Sequence, residues 1–333
     1  MARLDQTDRA ILYELDRDAR SPLSRIAKKV HLSREAVLYR LRGYLRQGTL
    51  RGFLSVIDMG QFGFSHHKVF VRLHNIGKEK ETQLISSLCA NPHVTWVASC
   101  DGNYSLVFAL KARSPKQLSD ILQEINKNYW QCFMLQDISS IVEAHHYHRD
   151  YLIGKQGTTE REIQWISSGV SEKIDEKNLL ILEQLSKNPR ATSVEIAKVA
   201  GFSPDSVLNR IKQMEVGGVI SHYTIWPNAT QLNGAYYKVL LTLRSLDAKN
   251  ERALLAYFRQ HPNIVYVVST IGQWQFEMDV EIESTEAFRE LMRKFLEKFH
   301  DVISDYSALN VYNEYKYRFF DKTALENNDG LSV

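Results

Sequence analysis

Between Arg34 and Arg46 the chain carries four arginines and two tyrosines at spacings that a helix sorts onto faces. Winding at about 100° per residue puts Glu35, Ala36, Tyr39, Arg42, Gly43 and Arg46 on one side, with Arg40 at its edge. The opposite side collects Val37, Leu38, Leu41, Tyr44 and Leu45. A basic, hydrogen-bonding face on an amphipathic helix suits guanidinium contacts to phosphates, which supply affinity, and a few contacts to base edges. A second stretch shows Asp205, Ser206, Asn209, Lys212 and Gln213 in the same way. There Asn209 has the amide geometry that pairs bidentately with adenine.

Other residues capable of chemistry are fewer. His145, His146 and His148 lie near the end of one predicted strand, and His66-His67 open another. Imidazoles on neighbouring strands could hold a transition metal, but strand alternation sends His145 to one face and His146 and His148 to the other. No metal site is expected. Cys89, Cys100 and Cys132 form no CxxC pair and read as reduced thiols of a cytosolic protein. No GxSxG, phosphate-binding P-loop or HExxH pattern occurs, so no catalytic residue is nominated. The charged N-terminus does not read as a signal peptide, and no apolar run reaches membrane-spanning length, so a cytoplasmic, membrane-free protein is expected.

The two outward faces belong to an internal repeat. LDQTDRAILYEL at 4–15 realigns with IDEKNLLILEQL at 174–185, and one constant offset pairs Asp5 with Asp175, Arg20 with Arg190, Arg40 with Arg210, Gly102 with Gly272 and Tyr147 with Tyr317. The chain is a duplication. Each copy opens with three helical segments. Ser33 caps the third helix of the first copy, and Gly201-Phe202-Ser203-Pro204 gives the second copy a turn, a cap and a first-turn proline. Gly48 and Gly218 stop these helices. Two short helices joined by a tight turn are a helix-turn-helix, whose last helix enters the major groove. The candidate contacts are Ser33, Arg34, Glu35, Tyr39, Arg40, Arg42 and Arg46, then Ser203, Asp205, Ser206, Asn209, Arg210 and Lys212. Arg40 and Arg210 could equally pair with a first-helix side chain such as Asp8 or Asn178. Residues 1–52 hold twelve basic and six acidic residues, whereas 171–222 hold seven of each. The first copy is therefore the expected main reader.

The rest of each copy reads as wing, then strand, helix, two strands, helix, strand. In the first copy these are 68–76, 78–90, 94–99, 105–111, 115–128 and 137–148. In the second, a strand over YYKVLLTLRSL precedes 248–260, 263–270, 275–283, 285–299 and 303–317. The fold class is α+β: two copies of a winged helix-turn-helix followed by a βαββαβ ferredoxin-like domain. The boundaries are 1–52 and 66–148, a polar linker at 149–172 in which Ile163, Trp165 and Ile166 could dock, then 173–222, 235–320, and an exposed tail at 321–333. Each sheet leaves an apolar face that the other copy can cover.

LDQTDRAILYELDRDARSPLSRIAKKVHLSREAVLYRLRGYLRQGTL followed by βαββαβ with VTWVASCDGNYSL resembles the Lrp/AsnC (feast/famine) regulators, over about 1–150 and again over 173–320. The resemblance implies a transcription factor that binds double-stranded DNA, with sensing and assembly domains of the RAM type, forming homodimers or larger homo-oligomers. It also implies an amino-acid-like effector beside the turn between strands two and three. The matching positions are Gly102, Asn103, Tyr104 and Ser105, and Gly272, Gln273, Trp274 and Gln275. Family members often carry an Asp where Ser105 and Gln275 stand, and the same glycines would serve a plain hairpin turn. Two other readings stay open. One is an architectural, chromatin-like DNA binder. The other is a relative of tetrapyrrole decarboxylases, which resemble this family in fold; their His-x-Tyr-Asn-Leu-Trp strand aligns with Asp101-Gly102-Asn103-Tyr104-Ser105-Leu106, without the histidine or tryptophan.

Overall fold

The computed structural model describes residues 4–155, 161–165, 174–244 and 247–326. Each copy begins with three helices: α1 (Gln6–Arg17), α2 (Leu23–Lys29) and α3 (Arg34–Gln47), then, after the first ferredoxin-like unit, α6 (Glu176–Lys187), α7 (Ser193–Ala200) and α8 (Pro204–Val216). Their starts are fixed by side-chain caps: Asp5 makes a capping box with Asp8, and Ser33 and Ser203 accept from the backbone N–H of Ala36 and Ser206. The tight turn before the third helix needs a left-handed residue. The second copy supplies Gly201 (φ 76°), whereas the first forces His31 to φ 55°.

Strand β1 (Leu50–Ile57) leaves α3, and β7 (Ile220–Pro227) leaves α8. They pair with each other as an antiparallel ribbon in which Leu54 faces Thr224, the repeat-equivalent positions, so the pseudo-two-fold axis passes through that pair. The ribbon also exchanges core residues. Ile225 packs with Ile11, Leu15 and Val37 of the first helix-turn-helix, while Val56, Ile57 and Met59 pack with Leu182, Leu185 and Val207 of the second.

The first ferredoxin-like unit contains β2 (Ser65–Leu73), α4 (Lys78–Ala90), β3 (Val94–Asp101), β4 (Leu106–Ala112), α5 (Pro115–Tyr129) and β5 (Phe133–Tyr147); β6 (Glu162–Trp165) follows it. After a short α9 (Ala229–Asn233), the second contains β8 (Ala235–Leu243), α10 (Ala248–Gln260), β9 (Ile264–Ile271), β10 (Phe276–Ile282), α11 (Thr285–Lys298) and β11 (Ile303–Tyr317), and α12 (Thr323–Glu326) ends the described chain. The two sheets join edge to edge. The order β2-β4-β3-β11-β8-β10-β9-β5 closes on itself through β5–β2, with β6 added beside β5. The long strands β5 and β11 make the corners, each pairing first within its own copy and then with the other.

Helices cover the outside of this ring: Val69, Val71 and Phe108 meet Leu84, Leu88 and Ile125, while Val239, Leu241 and Phe276 meet Leu254, Phe258 and Phe295. The inner face is not uniformly apolar, contrary to the sequence expectation. Phe70, Trp96, Tyr104 and Trp274 share it with Lys68 and Lys238, whose ammonium groups bond Glu277 and Asp279, each at 2.5 Å. Both carboxylates come from β10; β4 has Val107 and Ala109 at those positions.

Two expectations about connecting segments are corrected. The polar linker is structured in part: Glu162–Trp165 adds a strand to β5, pairing Ala144–Tyr147. Arg161 is fully buried, its guanidinium donating to the carbonyls of Arg259, His261, Pro262 and Ile264 across the turn from α10 to β9. Ile166 lies outside the described residues. In the tail, Ala324 is buried and Lys322 bonds Glu176; residues 327–333 lie outside the described part.

Candidate nucleic-acid interface

Helix α3 buries Val37, Leu41 and Tyr44 and leaves Ser33, Arg34, Glu35, Tyr39, Arg42 and Arg46 exposed. Leu45, expected inside, is exposed, and Leu38 is half-buried. Tyr39 is 74% exposed, so the phenol stands clear of the fold. Among the described residues Arg42 and Arg46 have no ion-pair partner, and Arg34 has only its neighbour Glu35 at 3.6 Å. Gly48 (φ 75°) caps the helix.

Arg40 does not join that face. Its guanidinium bonds Asp5 at 2.8 Å and Asp8 at 2.5 Å, and Tyr44 donates to Asp8 at 2.6 Å. The Arg40 hydrogen bond holds the Asp5 carboxyl below its ordinary range. Arg210 does the same in the second copy, bonding Asp175 at 2.7 Å and Asn178 at 2.9 Å. Both arginines brace the third helix against the first.

Helix α8 exposes Ser203, Asp205, Asn209, Lys212 and Gln213, with Ser206 half-buried. Where α3 has Arg46, α8 has Val216, 82% exposed. The outward face keeps its shape and loses its net positive charge.

Sequence reasoning missed how the two helix-turn-helix units are locked together. Arg20 donates to the carbonyls of Pro189 (2.5 Å) and Ala191 (3.1 Å) and lies 5.2 Å over the Tyr223 ring. Arg190 returns the contact to the carbonyls of Ala19 and Ser21 and lies 5.4 Å over Phe53. The signal was present as a repeat-equivalent arginine pair, but its partners are backbone carbonyls across the pseudo-two-fold axis.

The turns matching the family's effector region are packed against the opposite copy. Gly102 (φ 137°) sits on Ala308 and Leu309, and Gly272 on Ile138 and Ser139. Tyr104 and Trp274 point inside the ring, their centroids 6.2 Å apart. The Ser105 hydroxyl and the Gln275 carbonyl accept from the backbone N–H of Leu73 and Leu243, while Asn103 and Gln273 bond Ser307 and Asp137.

The histidines divide, with His146, His148 and His222 packed together and His67 and His145 apart from them. His67 bonds Ser140, His145 bonds Glu162 at 2.8 Å, His146 stacks on and bonds His222 at 3.0 Å, and His148 lies 3.6 Å from Asp16. Beside them, Arg149 joins Asp16 of α1 (2.6 Å) to Glu281 of β10 (2.8 Å). Burial alone would raise the Asp16 carboxyl; the Arg149 charge and the imidazoles of His148 and His146 outweigh it and hold Asp16 well below the usual carboxylate range.

The fold and this interface define a tandem winged helix-turn-helix protein. An AsnC-type helix-turn-helix domain matches residues 4–43, and a winged helix-turn-helix DNA-binding domain matches residues 174–221. An HTH-type transcriptional regulator of Mycobacterium tuberculosis is 30% identical over 128 residues, 38% of this chain and 86% of that one. The regulator LrpC of Bacillus subtilis is 29% identical over 122 residues, 37% of this chain and 83% of that one. The chain belongs to the Lrp/AsnC family of transcriptional regulators. Its two-copy architecture also resembles the solved structure of the siroheme decarboxylase NirDL, with a TM-score of 0.60 and 13% identity across 95% of this chain and 94% of that one. At that identity the likeness is one of fold.

Proposed function

We propose that this protein regulates transcription by binding double-stranded promoter DNA, chiefly through α3, with α8 as a weaker second reader. The observation that carries this is the exposed face of Arg34, Tyr39, Arg42 and Arg46, presented without competing carboxylates except Glu35. Phosphate contacts by these arginines set affinity and its salt dependence, with a slope near −0.9 per phosphate neutralised. Because the ribbon and the Arg20–Arg190 clasp hold α3 and α8 in one body, one chain presents both readers to one duplex. The target would then be two unlike half-sites rather than a strict palindrome. Footprinting and salt titration on DNA from upstream of the protein's own gene test this; no retardation of any duplex at low ionic strength rejects it.

Finer features belong to the same proposal. Chains associate as homo-oligomers, measurable by light scattering. An amino-acid-like effector would act at the Gly102 and Gly272 turns, where Asn103 and Gln273 are the exposed polar groups. A cytoplasmic location fits the finding that no helix among the described residues is long and apolar enough to cross a membrane. The decarboxylase fold brings no substrate with it. The cavity between ribbon and ring holds about 60 Å³ and its neighbour on the inner face of the ring about 50 Å³, well below the roughly 300–1,000 Å³ of pockets that enclose drug-sized ligands.

A further inference from the structure

A larger concavity, about 470 Å³, lies on the outside of the seam between the second helix-turn-helix and the ring. Its walls come from the end of α6 (Ser186–Pro189), the start of β1 (Arg51–Phe53), Trp226 and the end of β11 (Tyr315–Arg318). Four lining side chains are cationic, Arg51, Lys187, Lys316 and Arg318, and none is a carboxylate. Two of these charges are shared with neighbours: Lys187 with Glu183 at 2.6 Å, and Arg318 with Asp321 at 3.4 Å. The other two hydrogen-bond only to neutral groups among the described residues, with Asp321 acting on Lys316 and Glu314 on Arg51 through space. Lys316 donates to the Asn91 carbonyl, and Arg51 donates to the Glu314 carbonyl and to Asn313, with its enclosed Nε unsatisfied. Aromatic rings complete the lining: Phe53, Trp226, Tyr315 and Tyr317.

The repeat shows that this arrangement is not a by-product of the fold. At the equivalent place in the first copy stand Asp16 and Asp18 for Ser186 and Asn188, and His145, His146 and His148 for Tyr315, Lys316 and Arg318. There β6 covers the outer edge of β5 at Ala144–Tyr147. Residues 314–317 of β11 pair on one edge with β3 and, among the described residues, carry no strand on the other. One seam is mixed in charge, with Arg17 in the place of Lys187, and covered; the other is basic, aromatic and open.

We infer that this second seam is a binding site for a planar aromatic anion, with ring stacking on the aromatic side chains and the anionic group held by Lys316, Arg318, Lys187 and Arg51. Stacking plus cationic clamping is how proteins hold bases and phosphates without reading sequence, and the volume lies within the range of small-molecule sites. Two sources share this chemistry, a nucleoside monophosphate and a carboxylated planar macrocycle. An occupant would touch α6, the ribbon and the ring together, and so tie the second helix-turn-helix to the assembly domain. Such an occupant would bind whether or not the chain binds DNA.

The test uses the full chain without DNA. Tryptophan fluorescence is followed while AMP, adenosine, inorganic phosphate or a porphyrin polycarboxylate is added. AMP or the porphyrin should saturate with a Kd below about 1 mM, whereas adenosine and phosphate alone should bind at least about tenfold more weakly than the saturating probe. Whichever of the two saturates names the source. Lys316→Gln with Arg318→Gln should weaken that binding at least about tenfold. The exposed Lys187→Glu, which cannot disturb the core, should weaken it severalfold. Burial brings Lys316 down to about 8, so affinity should fall as pH rises through that value. Failure of both probes to saturate, or equal binding by wild type and all variants, overturns the site. Normal duplex binding in the same preparation would confine that failure to this inference.

Discussion

The two seams where a helix-turn-helix meets the ring are built on one plan and held by different forces. In the first, Arg149 lies between Asp16 and Glu281, with His146, His148 and His222 packed around it. In the second, the equivalents of Asp16, Arg149 and Glu281 are Ser186, Phe319 and Lys111. There Ser186 donates to the Phe320 carbonyl at 2.6 Å and Lys111 to the Phe319 carbonyl at 2.9 Å. A buried ion network has been replaced by side-chain bonds to backbone. The reading helices diverge as well: the half whose seam holds the buried ion network has the basic α3, and the half whose seam is bonded to backbone has α8, where the outward charges of Asp205 and Lys212 balance. Fusion of the copies makes this possible, because two identical chains could not assign different residues to the two halves.

The sharpest way to break the comparison is to remove one seam partner at a time. Arg149→Ala leaves Asp16 and Glu281 buried without their cation and should cost about 3–5 kcal/mol. Ser186→Ala removes two hydrogen bonds, one donated to the Phe320 carbonyl and one accepted from Arg318 Nε, and should cost about 1–2 kcal/mol. Equal losses in urea denaturation would mean that the two seams are energetically alike.

Acidification should separate them next. Burial pushes His222 down to about 3 and pushes His146 well below its ordinary value. Between pH 6.5 and about 3 the unfolded chain therefore binds more protons than the folded one. The stability associated with neutral His222 is complete above about pH 6.5 and is lost as pH falls toward 3, by at most about 1.4 kcal/mol per unit. His222→Asn should flatten the fall in melting temperature between pH 6.5 and 4. An unchanged profile would remove the histidines from the account.

On DNA, Arg42→Ala and Arg46→Ala should each weaken binding about tenfold and lower the salt slope by roughly one. Lys212→Ala should do less, and matching losses in a salt-titrated mobility assay would make the two readers equal. The smallest effect concerns the turn before each third helix. His31→Gly should relieve the left-handed strain and stabilise by about 1 kcal/mol, and Gly201→Ala should destabilise by a similar amount; thermal melts of both variants check the pair.

Much of this could be read from residue order. The duplication, the capped helices, the burial of Val37 and Leu41, and the basic face around Arg42 all follow from local spacing, since a helix sorts its faces at a fixed angle per residue. The polar connector misled because Arg161 is charged in sequence yet buried in the fold, where the partners that satisfy it are carbonyls a hundred residues away. Leu45 misled because periodicity marks a face but not where the neighbouring surface ends.

The amino-acid sequence alone settled the repeat, the kinds of element and the side chains each presents, because these depend on residues close together along the chain. Closure of two sheets into one ring, the exchanged ribbon and the clasp of Arg20 with Arg190 were decided only in three dimensions. So was the withdrawal of Arg40 into a brace on the first helix. Each depends on contacts between positions far apart in the chain, and many alternative pairings satisfy the same local pattern until packing selects one.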